Sequence, residues 1–239
     1  TATQCSTGFV ASYAAGVCTA CASGTRSLSD HSQCVSCPAG YTCGDPTLGP
    51  VKCASGYYSL NGTNTQCSIC PVGSYCPTVY STPISCPSGT YSSYGKTNCT
   101  SCPAGYSCLD PKSAPTVCAT GSYSLKGSSY CTTCPSGYSC KSKSALPVVC
   151  SKGYYSLGSA TNCTMCESGR YCPNGLNTYP CPSGHFSISG QSNCTICPAG
   201  AYCPSANLQL LCPTRTYSIA GASNCTLCPA GYSCSSPGK

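Results

Sequence analysis

The sequence predicts a small disulfide-rich β fold, an elongated tandem array of short hairpin modules with almost no helix. Three observations support this prediction. Cysteine accounts for 30 of the 239 residues, the cysteines recur at a regular period, and the segments between them combine tyrosine with glycine. So high a cysteine content is typical of disulfide scaffolds from oxidising compartments. We therefore expect a secreted protein that is extracellular or lies at the cell surface.

The period is carried by Cys-x-x-Cys pairs that recur every 31 to 33 residues. Residues 181–203 (CPSGHFSISGQSNCTICPAGAYC) and 212–234 (CPTRTYSIAGASNCTLCPAGYSC) show the repeated unit, with Arg215 in the second where the first has Gly184. A unit of this size is too small to fold unaided, so each unit must stack on its neighbours. The expected molecule is a stiff rod.

The repeat divides the chain into a variant first unit and six further units. Residues 1–52 form the variant unit, which has two long cysteine loops and one short loop. The repeats that follow are 53–85, 86–117, 118–149, 150–180, 181–211 and 212–239. We expect the array to continue beyond the last of these.

Cysteine spacing suggests that each cysteine bonds to its neighbour in sequence, which gives two classes of loop. The long loops, with separations of 13 or 14, are Cys5–Cys18, Cys21–Cys34, Cys53–Cys67, Cys86–Cys99, Cys118–Cys131, Cys150–Cys163, Cys181–Cys194 and Cys212–Cys225. The short loops, with a separation of 6, are Cys37–Cys43, Cys70–Cys76, Cys102–Cys108, Cys134–Cys140, Cys166–Cys172, Cys197–Cys203 and Cys228–Cys234. A crossed pattern, first to third and second to fourth, stays open because sequence does not determine connectivity.

The long loops are predicted to be hairpins, because tyrosine suits a half-buried strand and glycine permits positive φ at a turn. The turn glycines of four of these loops are Gly62, Gly95, Gly127 and Gly158. The short loops contain a Cys-Pro start in most units and are expected to be too small for regular structure. Proline-bearing connectors follow them, and we expect no helix longer than a turn or two.

The residues do not support a catalytic site, a metal site or a cofactor site. The two histidines, His31 and His185, occupy unrelated repeat positions and are expected in exposed loops. The four acids, Asp30, Asp45, Asp110 and Glu167, are too isolated for a calcium site or paired carboxylates. Repeated Cys-x-x-Cys spacing also occurs in zinc sites, but Pro-Gly loops and an even cysteine count favour disulfides here. We expect no enzyme activity and no cofactor.

Charge is sparse, with 6% charged residues and a net charge of +7. Several basic residues of the chain cluster near its middle, at Lys126, Lys141, Lys143 and Lys152. A solvated face is the simpler interpretation, and a patch for polyanions is the alternative. Nucleic acid is not an expected partner in an oxidising compartment. No run of about 18 apolar residues is present, so no membrane span is expected.

The most specific functional motif is the N-glycosylation sequon. Five sequons begin at Asn61, Asn98, Asn162, Asn193 and Asn224, and the last four occupy the same place in their units, with a cysteine as the middle residue. Four sequons in register predict N-glycans along the array. The alternative is that asparagine and threonine serve only as turn residues there. Tyr130 replaces the asparagine in one unit.

The connectors hold most of the remaining apolar residues, in Ala145–Val149 and Leu208–Leu211. Packing of one unit on the next would explain them, and lateral contact with another chain is the alternative. The candidate assembly contacts are Val148, Val149, Leu208, Leu210 and Leu211.

The repeated run C-P-x-G-x-Y-S-x-x-G-x-x-x-C-x-x-C-P-A-G-Y resembles the ephrin-receptor-like cysteine-rich repeats and, more distantly, the cysteine-rich modules of tumour-necrosis-factor receptors. The resemblance covers nearly the whole chain. It implies small β-hairpin modules held by disulfides in an extracellular protein, and it transfers no catalytic residue. The additional C-P-A-G-Y-x-C loop of each unit departs from the ephrin-receptor pattern.

Two functions compete on this basis. The first is an extracellular structural glycoprotein, a stiff rod that self-assembles into a filament, coat or flagellar-hair-like polymer. Its expected partners are copies of itself or other extracellular structural proteins, together with covalent N-glycans. The second is an adhesin or receptor ectodomain that binds a protein or glycan. Its site would lie in the Cys5–Cys43 region, which departs from the repeat.

Overall fold

The computed structural model describes residues 4–12, 16–62 and 64–234, and this part of the chain contains short β-strands and no helix. The first half of the strands are β1 (Phe9–Ala11), β2 (Cys18–Ala20), β3 (Thr25–Ser27), β4 (Cys34–Ser36), β5 (Tyr41–Thr42), β6 (Val51–Lys52), β7 (Tyr57–Tyr58), β8 (Ser68–Ile69), β9 (Ser74–Tyr75), β10 (Ile84–Ser85), β11 (Thr90–Tyr91), β12 (Thr100–Ser101), β13 (Tyr106–Ser107) and β14 (Thr116–Val117). The others are β15 (Ser122–Tyr123), β16 (Thr132–Thr133), β17 (Tyr138–Ser139), β18 (Val148–Val149), β19 (Tyr154–Tyr155), β20 (Thr164–Met165), β21 (Arg170–Tyr171), β22 (Tyr179–Pro180), β23 (His185–Phe186), β24 (Thr195–Ile196), β25 (Ala201–Ser205), β26 (Leu208–Leu211), β27 (Thr216–Tyr217) and β28 (Thr226–Leu227).

Each odd-numbered strand pairs with the strand that follows it, so every sheet of the described residues is a two-stranded hairpin. The predicted fold class, a tandem array of small disulfide-rich hairpins, is confirmed. Eight hairpins have their first strand within a long cysteine loop and their second strand at or just after the cysteine that closes it, so the prediction of a whole hairpin inside the loop is wrong for the second strand. We call them long-loop hairpins: β1–β2, β3–β4, β7–β8, β11–β12, β15–β16, β19–β20, β23–β24 and β27–β28. We call the other six connector hairpins: β5–β6, β9–β10, β13–β14, β17–β18, β21–β22 and β25–β26.

The connector hairpins correct the expectation that the short loops lack regular structure. In the first of them, the loop Cys37–Cys43 contains strand β5, and its partner β6 lies in the connector, outside the loop. The Tyr41 amide donates to the Pro38 carbonyl and Gly40 has a φ of 81°, so a tight turn occupies the start of the loop. The loop is too small for a whole hairpin, but two extended residues remain before its second cysteine.

The chain forms two compact units, one of Thr1–Thr116 with Lys126–Tyr130 and the other of Val117–Leu125 with Cys131–Lys239. The first compact unit begins with two long-loop hairpins in succession, after which connector hairpins and long-loop hairpins alternate. In the second unit they alternate from the beginning.

Cystine takes the place of a hydrophobic core. Fifteen disulfides join each cysteine to its neighbour in sequence, and none is free. The cysteines of the short loops are buried almost everywhere, whereas Cys18 and Cys34, which close long loops, are exposed. Ala201 is the one non-cysteine apolar residue that is buried among the described residues. Hairpins this short therefore need other interactions to hold them together.

A buried serine supplies that interaction in the long-loop hairpins. The Ser187 hydroxyl donates to the Arg170 carbonyl at 2.7 Å, and the Ser187 carbonyl accepts from the Gly169 amide at 2.9 Å. Both partners belong to the preceding connector hairpin. The Ser187 amide donates to the Ala206 carbonyl at 3.0 Å, at the tip of the following connector hairpin. One residue therefore ties three hairpins together.

This serine clasp recurs along the array. Ser59, Ser92 and Ser156 make the same three bonds, and the hydroxyl and carbonyl bonds recur at Ser218. Buried hydrogen bonds contribute about 0.5–1.5 kcal/mol each, and a buried polar group left without its partner costs about 1–3 kcal/mol. The clasps consequently favour one arrangement of neighbouring hairpins over others.

Successive long-loop hairpins also touch through their backbones. An ideal Cβ built on Gly89 would lie 1.9 Å from the carbonyl oxygen of Gly127, the turn glycine of the next long-loop hairpin. The same approach, at 2.2 Å or less, occurs at Gly56, Gly121, Gly153 and Gly184. A side chain at these positions would separate the hairpins, so the repeat requires glycine there.

We expect Ser187→Ala to loosen the array locally. Loss of the hydroxyl leaves the Arg170 carbonyl without its donor, which costs about 1 kcal/mol. Hydrogen exchange at the Gly169 amide should accelerate about fivefold. Ser189→Ala, at an exposed position of the same hairpin, should leave this rate unchanged. Equal rates in the two variants would contradict the clasp.

Gly89→Ala should separate two stacked hairpins. The suitable control is Gly49→Ala, because Gly49 has a similar φ of 75° and its Cβ would meet nothing within 4 Å. The control costs only the strain of left-handed backbone, about 1–2 kcal/mol, whereas the clash at Gly89 adds about 1–3 kcal/mol. Hydrogen exchange at the Gly127 amide, which donates to the Cys102 carbonyl at 2.8 Å, should rise in Gly89→Ala alone. Equal exchange in both variants would show that backbone contact does not set the stacking.

Candidate functional site

In each of the four sequons in register, the threonine begins the second strand of a long-loop hairpin, and the asparagine and cysteine lie immediately before that strand. Each middle cysteine is half-buried in its disulfide, while the asparagine before it and the threonine after it are exposed. The disulfide draws the cysteine inward, and both residues that a glycosyltransferase must recognise face outward. The acceptor asparagines, as we call them, are Asn98, Asn162, Asn193 and Asn224.

The acceptor asparagines differ from Asn61 in their bonding. The Asn61 carboxamide oxygen accepts from the Ala39 amide at 2.8 Å, so this side chain fastens a turn. Thr63, which completes its sequon, lies outside the described residues. The side chains of the acceptor asparagines make no hydrogen bond to any residue that the structure describes. Turn chemistry therefore accounts for Asn61 and does not account for the other four.

Exposed apolar residues mark the second strand of every connector hairpin described. Val148 and Val149 of β18 are 61% and 60% exposed, and Leu211 of β26 is 79% exposed. Leu208 and Leu210 of β26 are exposed as well. The other strands of this kind carry Val51, Ile84, Val117 and Tyr179, all exposed. We call β6, β10, β14, β18, β22 and β26 the connector strands.

Packing of one hairpin on the next explains little of this exposure. The contacts between hairpins use mainly serine hydroxyls, backbone amides and carbonyls, and close glycine approaches, with Ile69, Met165 and Ile196 beside turn glycines of the next long-loop hairpin. The connector-strand side chains named above remain in solvent. Exposed apolar residues at a regular period are typical of a surface that contacts another molecule.

The basic residues of the middle of the chain do not act as one group. The Lys143 ammonium donates to the Cys118 carbonyl at 2.6 Å and so stabilises its own repeat. Lys126, Lys141 and Lys152 are exposed. The structure therefore assigns a structural role to one of the four lysines.

The carboxylates of the connector and long-loop turns are occupied by local bonds. Hydrogen bonds from the Thr47 hydroxyl and amide hold the pKa of Asp45 below its ordinary value. The Ser32 hydroxyl and amide do the same for the pKa of Asp30. The pKa of Asp110 is also lowered, first by the Lys112 amide and then by the Ser113 hydroxyl.

The two histidines are half-buried, so the expectation of exposed loop positions is wrong. His185 lies in β23, and its Nδ1 is 3.2 Å from the Ser183 carbonyl. His31 lies in a turn, and its Nδ1 is 3.2 Å from the Phe9 carbonyl. Within the described ranges, no group of three or more His, Cys, Asp or Glu side chains could hold a metal ion.

The serine clasp and the stacked glycines were not identified from the sequence as contacts between hairpins. Both residues are visible in the repeated motif, as the glycine and serine of Gly-x-Tyr-Ser. Their fixed position in each unit is the signal from which the contacts could have been inferred.

No helix among the residues that the structure describes is long and apolar enough to cross a membrane. Comparison with models of known protein families gave no match, and neither did comparison with curated proteins.

Proposed function

We propose that this protein is an extracellular structural glycoprotein whose copies associate side by side into a filament, coat or flagellar-hair-like polymer. The observation that carries the proposal is the exposed apolar residue on every connector strand described. A partner that is another copy carries the same residues at the same period, so contacts repeat along the whole length of both. Such a surface suits self-assembly better than recognition of one small ligand.

Glycosylation is the second part of the proposal. The acceptor asparagines are exposed, and each is followed two residues later by an exposed threonine. N-glycans there would supply hydrophilic surface to a chain with only 6% charged residues. Such a chain needs a polar covering wherever its surface is not in contact with a partner. The high cysteine content supports a secreted, extracellular location.

Membership of the ephrin-receptor-like repeats also belongs to the proposal. The spacing of the motif supports it, and so do the small disulfide-linked hairpins. The connector hairpin, which arises from the additional short loop and the connector after it, distinguishes this repeat.

Leu211→Ser should weaken assembly of the full chain, because it removes the most exposed apolar side chain of a connector strand. Leu157→Ser is the matched control, since Leu157 is 72% exposed but lies in a long-loop hairpin. Loss of a buried leucine contact of about 1.5–3 kcal/mol would weaken each contact by roughly tenfold or more. Sedimentation velocity and negative-stain electron microscopy give the assembled fraction. Native protein that stays monomeric at high concentration would refute self-assembly, and equal loss in both variants would refute the connector strands as the contact.

Each of Asn162→Gln, Asn193→Gln and Asn224→Gln should remove the mass of one glycan from protein secreted by eukaryotic cells. Asn207→Gln should remove none, because Asn207 is not in a sequon. Intact mass before and after enzymatic deglycosylation measures the difference. Unchanged mass in the three variants would mean that these asparagines are not modified.

The second candidate function, an adhesin or receptor ectodomain, is favoured by one observation. The chain departs from its repeat in the first unit, where two long-loop hairpins follow one another.

A further inference from the structure

Arg26 occupies a position that the later long-loop hairpins fill with an aromatic ring. It lies in β3, immediately before Ser27. The residues in the same place, one before the serine, are Tyr58, Tyr91, Tyr123, Tyr155, Phe186 and Tyr217. A guanidinium therefore replaces a ring, and it brings a positive charge and several N–H donors into a half-buried position.

Beside Arg26 lies a cavity of about 340 Å³. Arg26, Ser27, Ser29 and His31 line it from the β3–β4 hairpin, Thr7 lines it from the hairpin before, and the tip of the β5–β6 connector hairpin closes one side. The volume falls in the range of small-molecule sites and is enough for one sugar ring.

The Arg26 side chain lacks an acceptor within the described residues. Its Nε is buried and has no hydrogen-bond partner there. No acidic residue lines the cavity. The carboxylates of Asp30 and Asp45, close by in sequence, accept bonds from Ser32 and Thr47. A guanidinium with a buried, unpaired N–H is costly unless an acceptor reaches it.

Ser27 supplies a second donor without an acceptor. It is 8% exposed, and its Oγ accepts from the Gly8 amide at 3.0 Å. In the serine clasps this hydroxyl also donates to a carbonyl of the preceding connector hairpin, as Ser59 does to Tyr41 at 2.8 Å. At the equivalent place before Ser27, in a long-loop hairpin, the Phe9 carbonyl lies 3.2 Å from the His31 Nδ1. The Ser27 proton therefore has no acceptor among the described residues.

We propose that this cavity binds an oxyanion, a carboxylate or sulfate group carried by a ligand about the size of one sugar ring. The anion would accept from Arg26 and from the Ser27 hydroxyl, and would take the place of the carbonyl that accepts from the serine in the clasps. Guanidinium is suited to planar or tetrahedral oxyanions because its N–H groups form a fork. This site does not rest on self-assembly, and the acidic ligand belongs to a binding function of the first unit.

The test titrates the full-length chain with sodium glucuronate, inorganic sulfate and glucose at constant ionic strength. Chemical-shift changes at the Arg26 Nε–H and the Gly8 and Ser27 amides report occupancy of the cavity. We expect saturable shifts with glucuronate or sulfate and none with glucose. Glucuronate tighter than sulfate would mean that the ring also contacts the cavity, and sulfate as tight as glucuronate would mean that the oxyanion suffices. Both results support the site.

Two variants that restore the repeat provide the decisive comparison. Arg26→Tyr introduces the residue found at five of the six equivalent positions. Arg215→Gly removes the same charge from an exposed position where the other repeats have glycine. Loss of a charged hydrogen bond should weaken glucuronate binding about tenfold or more in Arg26→Tyr, and Arg215→Gly should leave it unchanged.

Arg26→Lys is a second test variant in case Arg26→Tyr misfolds, because lysine keeps the positive charge but lacks the forked N–H groups of the guanidinium. It should also weaken binding, with all disulfides intact by mass. Equal weakening by Arg26→Tyr and Arg215→Gly would reduce the effect to net charge and overturn the proposal. Glucose binding as tightly as glucuronate, or no saturable shift with any of the three, would overturn it as well.

Discussion

The serine clasp is the interaction on which the rest of the array depends. Disulfides close each loop, but each of them joins cysteines only 13, 14 or 6 residues apart, so none reaches beyond the adjacent hairpin. Apolar burial is also slight. Contact between hairpins therefore rests on directional hydrogen bonds, and Ser187 makes three of them to two neighbours. Because the serine is buried, each unmade bond carries a desolvation penalty, so the clasp selects geometry as well as adding stability.

This kind of cohesion determines where the large side chains lie. Hydrogen bonds between backbones require close approach, and at Gly89, beside the Gly127 carbonyl, that approach leaves no room for a Cβ. Most bulky apolar side chains consequently stay exposed, both on the connector strands, as Val149 and Leu211 are, and on the long-loop hairpins, as Leu227 is. A globular domain of the same composition would bury such residues. Here they are available to a partner, while the disulfides and clasps keep the repeat intact without them.

The sequence predicted the long-loop hairpins because tyrosine strands and glycine turns lie together within one cysteine loop. The connector hairpins, and the position of β8 and its equivalents after the closing cysteine, were not foreseen, since strands of two residues carry no detectable alternation. The exposure of the acceptor asparagines follows from the sequence, because each stands beside a bonded cysteine that is drawn inward. Burial of Ser187 does not, because a serine beside a strand ordinarily faces solvent and only the neighbouring hairpins make it interior.

A repeat held together by hydrogen bonds is left with unpaired donors at the place where the alternation of hairpins changes. Each serine clasp needs a connector hairpin before it. Ser27 instead follows a long-loop hairpin, and its hydroxyl accepts from the Gly8 amide, whereas the Ser59 hydroxyl donates to the Tyr41 carbonyl. At the same place Arg26 replaces an aromatic ring and adds a second unmet donor. The serine hydroxyls of the regular units thus have acceptors, whereas Arg26 and Ser27 of the irregular unit have donors left for the ligand proposed above. In an array built this way, chemistry is expected at the breaks in the repeat, and the regular units between them are left to structure and assembly.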